Sequence, residues 1–157
     1  MISLKPIKHG ALDIAILRML YENPDSTYAE IAAKLKTTAV TVHNRLKKMK
    51  ENGSYRRSIV VNPTFYGKNI NAYILVSTTP GKERLVAEKI AKNNQALKVR
   101  GVTGDVDIIV EVVASDIDEL QRMVMAKIRA LPGVQRTHTV IVAFTTKDEI
   151  SYMAESI

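Results

Sequence analysis

Apolar positions in the first fifty residues recur at helical spacing and predict three helices. Ile16, Leu17 and Leu20 share one face of a segment opening near Leu12, with Asp13 placed to favour the positive end of a helix. Asn23-Pro24-Asp25-Ser26 ends it, because proline lacks a donor and drives its predecessor out of helical backbone space. Thr27-Tyr28-Ala29-Glu30 has the form of a capping box, and Ile31, Ala32 and Leu35 give the short second helix its inner face. After a break at Lys36-Thr37, Thr38 caps a third helix with Val42, Leu46 and Met49 inward. Asn52-Gly53 is its left-handed stop. Helix, short helix, tight turn and longer helix make a helix-turn-helix.

From Ile70 the period shortens. AYILVSTT is β-branched and apolar, a strand. Gly81 opens a helix with Leu85, Val86 and Ile90 inward, and KVRGVTG and VDIIVEVVA are the next two strands. Ser115 caps a helix beginning near Asp116, with Leu120, Met123, Val124 and Ile128 inward, and Leu131-Pro132-Gly133 stops it. A last strand, QRTHTVIVAFT, runs through to Lys147. The order βαββαβ is the ferredoxin-like arrangement, so the chain is α+β: a winged-helix-like helix-turn-helix domain, then a sheet domain with helices on one face. The other sheet face is apolar in places and edge strands remain, which predicts at least a homodimer. Between them SYRRSIVV is β-rich, and is either a basic wing or a linker strand. The expected division is residues 1–53, a linker strand at 54–68, the sheet domain at 69–147 and a tail at 148–157.

Charge sharpens the picture. The net charge is +7. Up to Val60, eleven Lys and Arg stand against five Asp and Glu, so nearly all the excess lies in about two-fifths of the chain. From Ile31 to Lys50 there is no acid, while Lys34, Lys36, Arg45, Lys47, Lys48 and Lys50 are basic. A phosphate backbone is the natural partner, since released counterions favour such binding. With Val42, Leu46 and Met49 inward, rotation of about 100° per residue turns Val40, His43, Asn44 and Lys47 outward. Ala39 and Thr41 sit near the exposed first turn. Asn44 can pair bidentately with adenine, Val40 can meet a thymine methyl, and Lys47 or Lys48 can hold phosphate, as can Thr38 at the helix start. Arg56 and Arg57 add basic contacts after the helix.

Other chemistry is thin. No Cys is present, which excludes disulfides, thiolate zinc sites and a thiol nucleophile. Aromatics are 5% with no Trp, too few for single-strand stacking platforms. No apolar run nears the roughly 20 residues a bilayer requires, and MISLKPIKHG lacks a signal-peptide core, so a cytoplasmic protein without a membrane partner is expected. His9, His43 and His138 are scattered, and no P-loop, dinucleotide fingerprint or nucleophile elbow occurs. Asp105, Asp107 and Asp116 are explained by a turn and a helix cap. No enzyme, cofactor or metal is expected.

Asp13-Ile14-Ala15-Ile16-Leu17, Glu30-Ile31-Ala32, Thr38 through Val42, Arg45-Leu46 and Glu51-Asn52-Gly53 resemble the N-terminal motifs of the leucine-responsive regulatory protein/AsnC, or feast/famine, family. Thr103-Gly104-Asp105-Val106-Asp107, Pro132-Gly133-Val134 and Thr137-His138-Thr139 resemble the turns of that family's effector domain. The match covers roughly Leu12 to Lys147 in the family's order. The resemblance implies a transcription regulator that binds double-stranded DNA, dimerises through its βαββαβ domain and assembles to tetramers or octamers. It also implies an amino-acid or related effector, held by Thr103, Gly104, Asp105 and Asp107 on one side and by Thr137 and Thr139 opposite. Three features depart from the family: Ser54-Tyr55 replaces an apolar pair, Lys36-Thr37 replaces a Gly-containing turn, and Ala126 offers no charge to an effector side chain. The alternative is a sequence-tolerant DNA-compacting protein on the same scaffold. It would show steep salt dependence without sequence preference, whereas a local regulator favours its operator by roughly 10³-fold or more. A metabolite sensor acting on a protein partner would shift no DNA at low salt.

Overall fold

The computed structural model describes residues 10–148. The chain divides into two compact units, one up to Ile59 and one from Val60. The first holds three helices, α1 (Ala11–Glu22), α2 (Tyr28–Lys34) and α3 (Ala39–Glu51). The Thr27 amide donates to Glu30 Oε2 at 2.7 Å, and the Glu30 amide donates to Thr27 Oγ1 at 3.2 Å, so the capping box forms. The Thr27 amide and hydroxyl hold the Glu30 carboxyl below the usual range. Thr38 Oγ1 accepts from the Thr41 amide at 3.1 Å and caps α3, a contact of about 1 kcal/mol. Gly53 ends α3 at φ 77, as its sequence position requires. Ile16, Leu20, Ile31, Ala32, Val42, Leu46 and Met49 form the core, each side chain larger than alanine contributing roughly 1.5–3 kcal/mol. Tyr55, in place of the expected apolar residue, packs its ring on this core.

Residues 54–62 form no strand, which corrects the expected linker strand. A β-rich stretch needs a ladder partner for its backbone groups, and no strand among the described residues pairs with this one. Asn62 then caps a short 3₁₀ helix, Pro63–Tyr66.

The second unit is a four-stranded antiparallel sheet in the order β2-β3-β1-β4. Its strands are β1 (Ile70–Thr78), β2 (Ala96–Gly101), β3 (Ile108–Ala114) and β4 (Val134–Ile141). Helices α4 (Glu83–Ile90) and α5 (Ile117–Met123) complete βαββαβ, and α5 continues as a π-helical segment, Val124–Arg129. This is the expected ferredoxin-like fold. Ala72, Ile74 and Val76 of β1 and Ile108, Val110 and Val112 of β3 meet Val86 and Ile90 of α4, Leu120 and Met123 of α5 and Ile128 of the π-helical segment. Tyr73, Leu75 and Ile109 alternate onto the other face of the sheet.

Three local expectations are corrected. Leu85 is exposed, because the inner stripe of the eight-residue α4 is only as wide as Val86 and Ile90. Asp116, not Ser115, caps α5: its Oδ1 accepts from the Glu119 amide at 2.7 Å, while the Ser115 hydroxyl turns to Glu119 Oε2 at 2.7 Å. The last strand stops at Ile141 rather than Lys147. Its neighbour β1 begins at Ile70, so the Val142 amide finds Asn71 O at 2.9 Å and later residues have no strand to pair with. Of the expected tail, all but Asp148 lies outside the described residues, as does His9.

Candidate functional site

The three-helix unit presents α3 as a ridge with one buried and one solvent face. Val42, Leu46 and Met49 fix the rotation of the helix by burial. Ala39, Val40, His43, Asn44, Lys47 and Lys48 are therefore exposed, Val40 by 68%. Thr41 is half-buried, and its hydroxyl lies 2.9 Å from that of Thr38. Both hydroxyls are thus engaged at the helix start, where the first amides and the positive end of the dipole face solvent. Lys48 and Lys50 fall in the last turn of α3, at its negative end.

Not every basic residue belongs to this surface. Arg45 Nη1 donates to Asp13 Oδ1 at 2.8 Å, and Asp13 Oδ2 accepts from the Gly10 amide at 3.3 Å, so Arg45 fastens α3 to the start of α1. The Arg57 guanidinium donates to Pro24 O in the turn after α1. Arg56 is exposed beside it. The structure therefore gathers Thr38 through Lys48 on one helix, and sets Arg57 against the α1–α2 turn. A further residue, unremarked in sequence except as part of the capping box, joins them. Tyr28, the first residue of α2, packs its ring on His43 with centroids 5.7 Å apart and planes at 53°.

The expected effector residues lie in the sheet unit. Thr103, Gly104 and Asp105 are exposed in the turn between β2 and β3, where Gly104 adopts φ 142, a conformation open essentially to glycine. Asp107 leads into β3. Its amide donates to Val76 O at 3.0 Å, and its Oδ2 accepts from the amide of Thr78 at 2.7 Å and the hydroxyl at 3.1 Å. Thr137 and Thr139 stand on β4 opposite Val76 and Ile74, whose buried side chains put both threonines on the helix-covered face. Asp107 and Thr137 therefore flank the same end of β1 from opposite sides, two strand spacings or about 10 Å apart. His138 alternates to the other face, opposite Leu75. A depression of about 280 Å³ on α5, lined by Asp118, Gln121, Arg122 and Met125, contains none of the expected effector residues.

Glu119 is a second residue that sequence reading missed. It accepts from Lys68 Nζ at 2.6 Å, Gln95 Nε2 at 2.8 Å and the Ser115 amide at 2.5 Å. The Lys68 ammonium, followed by the Ser115 amide, holds its carboxyl down at about 2. The cluster ties the segment before β1 to the start of α5. Among the described residues no group of His, Asp and Glu suits a metal ion, and no helix is long and apolar enough to cross a membrane.

Comparison with known proteins agrees with both units. Residues 11–53 match a family model described as winged helix-turn-helix DNA-binding, and residues 71–152 match one described as Lrp/AsnC ligand binding domain. The transcriptional regulator FL11 of Pyrococcus abyssi is 32% identical over 87% of this chain and 91% of its own. An uncharacterized helix-turn-helix regulator of Pyrococcus furiosus, PF1231, is 36% identical over 87% of this chain and 93% of its own. The structure of E. coli AsnC is similar with a TM-score of 0.86 at 26% identity, covering 92% of this chain and 99% of that one. A Neisseria meningitidis regulator, NMB0573, solved as a complex with L-Met, has the same fold with a TM-score of 0.84 at 23% identity, covering 92% and 96%. These proteins are transcription regulators, not enzymes. A helix-turn-helix unit that matches a DNA-binding model, followed by a βαββαβ unit that matches the Lrp/AsnC ligand binding domain, makes this chain a member of the Lrp/AsnC family of transcription regulators.

Proposed function

We propose that the chain is a homo-oligomeric regulator that prefers particular duplex sequences and responds to an amino acid or related small metabolite. The observation carrying this reading is the solvent face of α3, where Val40, His43, Asn44 and Lys47 stand exposed on a helix whose other face is locked into a core. In a major groove Asn44 reads adenine, Val40 meets a thymine methyl, and Lys47, Lys48, Arg56 and the capped start of α3 at Thr38 hold phosphates. Arg57 steadies the preceding turn and approaches the backbone from there. Association through the sheet unit follows from its second face, where Tyr73, Leu75, Ile109 and Val140 leave apolar area uncovered by helices. Two such chains present two reading helices to half-sites one helical turn or a multiple apart, and dimers can join into tetramers or octamers.

An amino acid as effector is supported by the L-Met complex of the Neisseria regulator, which shares this fold. The ligand's carboxylate and ammonium suit the exposed turn at Thr103, Gly104 and Asp105 and the hydroxyls of Thr137 and Thr139, with Asp107 shaping the turn. The test of sequence reading is selection from a pool of randomised duplexes with the native chain and with Asn44→Ala. The native chain should enrich a near-palindromic site, and the variant should lose preference at one position per half-site while keeping its nonspecific affinity. Equal affinity of the native chain for all duplexes would replace regulation with DNA compaction, and a uniform loss in the variant would remove Asn44 as a base reader.

A further inference from the structure

Tyr28 carries a large ring at the surface, 38% exposed, at the first position of a helix. Its backbone is pinned by the Thr27–Glu30 box, so the ring projects from a fixed point. Its one ring neighbour among the described residues is His43, on the exposed face of α3. The centroid distance of 5.7 Å and the tilt of 53° fall within the range where aromatic side chains attract one another. A histidine standing alone on a helix surface exchanges among rotamers, and ordering it on contact with DNA costs binding free energy. A ring packed on one side removes part of that cost before DNA arrives.

We propose that Tyr28 is a positioning residue for base recognition, its ring holding His43 in the attitude from which the imidazole reads a base edge. The imidazole offers a donor and an acceptor on one ring, which suits the donor and acceptor pattern of the major groove. Glu30, the nearest acid along the chain, is turned to Thr27 and capping, so the pair faces DNA without a competing carboxylate of its own box. The inference rests on the reading of α3 as the DNA-facing helix and adds to it a residue of α2 that touches no base.

The experiment compares the native chain with Tyr28→Ala, Tyr28→Phe, His43→Ala and the double alanine variant. Each is measured on the duplex enriched from a randomised pool, on that duplex with single base-pair changes, and on an unrelated duplex at low salt. Tyr28→Ala should lower discrimination by about threefold to tenfold at the base pair where His43→Ala also lowers it, and leave the unrelated duplex bound as before. The double variant should lose no more than His43→Ala alone, and Tyr28→Phe should keep most of the discrimination because it keeps the ring. Thermal melting of each variant shows whether the helices still fold. Losses that multiply in the double variant, or a Tyr28→Phe variant as poor as Tyr28→Ala, would overturn the positioning role while leaving DNA reading by α3 intact. A native chain that holds no duplex in dilute salt would overturn the reading of α3 itself, and this inference with it.

Discussion

Asp107 Oδ2 takes both hydrogen bonds that Thr78 can donate, from its amide at 2.7 Å and its hydroxyl at 3.1 Å. Thr78 is 5% exposed, one of two buried polar residues in the described chain. A residue expected to meet an effector therefore has a structural task in its absence: it closes the end of β1 against the turn that holds Thr103, Gly104 and Asp105.

Asp107→Ala should consequently destabilise the effector-free protein by about 1–3 kcal/mol, because it strands a buried amide and hydroxyl. Asp107→Asn, which retains an acceptor oxygen, should lose less. Urea unfolding without any added amino acid measures both. Unchanged stability in Asp107→Ala would show that Thr78 finds other partners and that Asp107 is free for a ligand.

Lys47 lies one turn beyond His43 on the exposed face of α3, where a lysine meets phosphate rather than a base. Lys47→Ala should weaken binding to all duplexes alike and flatten the plot of log affinity against log salt by about one unit. An unchanged slope would remove Lys47 from the phosphate contacts.

The tight turn between α2 and α3 places Lys36 at φ 51, the one non-glycine residue with positive φ among the described residues. For a residue with a Cβ this conformation costs about 1–2 kcal/mol, and glycine returns part of the relief as lost chain entropy. Lys36→Gly should raise stability by about 0.5–1 kcal/mol, seen as a higher midpoint in urea. A lower midpoint would mean that the lysine side chain contributes packing worth more than the strain.

How far these features could be read from the sequence depends on the range of the contact involved. Val42, Leu46 and Met49 were legible because burial on a helix repeats every three or four residues, and the Thr27 box because its partners are three apart. The βαββαβ order followed from the change of period. In sequence Arg45 belongs to the basic stretch, because its carboxylate, Asp13, lies 32 positions away. Asp107 and Thr78 are separated by 29 positions and Lys68 and Glu119 by 51, so only the folded sheet brings them together. The sequence marks Tyr28 only by its place in the capping box, since nothing in a sequence shows that the first residue of one helix lies over the fifth of the next. The β-rich stretch at 54–62 had the composition of a strand, but a strand is a property of pairing and composition does not supply the partner.

Glu119 makes stability depend on acid in a defined direction. Its carboxyl is held at about 2 by Lys68 and Ser115, against 4.5 for an unperturbed glutamate. A group whose folded value is depressed stabilises the fold above its unfolded value and loses that contribution as pH falls through the folded one. The contribution is therefore complete above about pH 4.5 and is lost between there and about pH 2. Asp116, also held down chiefly by the amide of residue 119, acts in the same direction and survives replacement of the Glu119 side chain. In Glu119→Gln the melting temperature should be lower than native at neutral pH, and its fall between pH 4.5 and 2 should be shallower. Parallel curves for the two proteins across that window would show that the Lys68–Glu119–Ser115 cluster does not couple proton binding to folding.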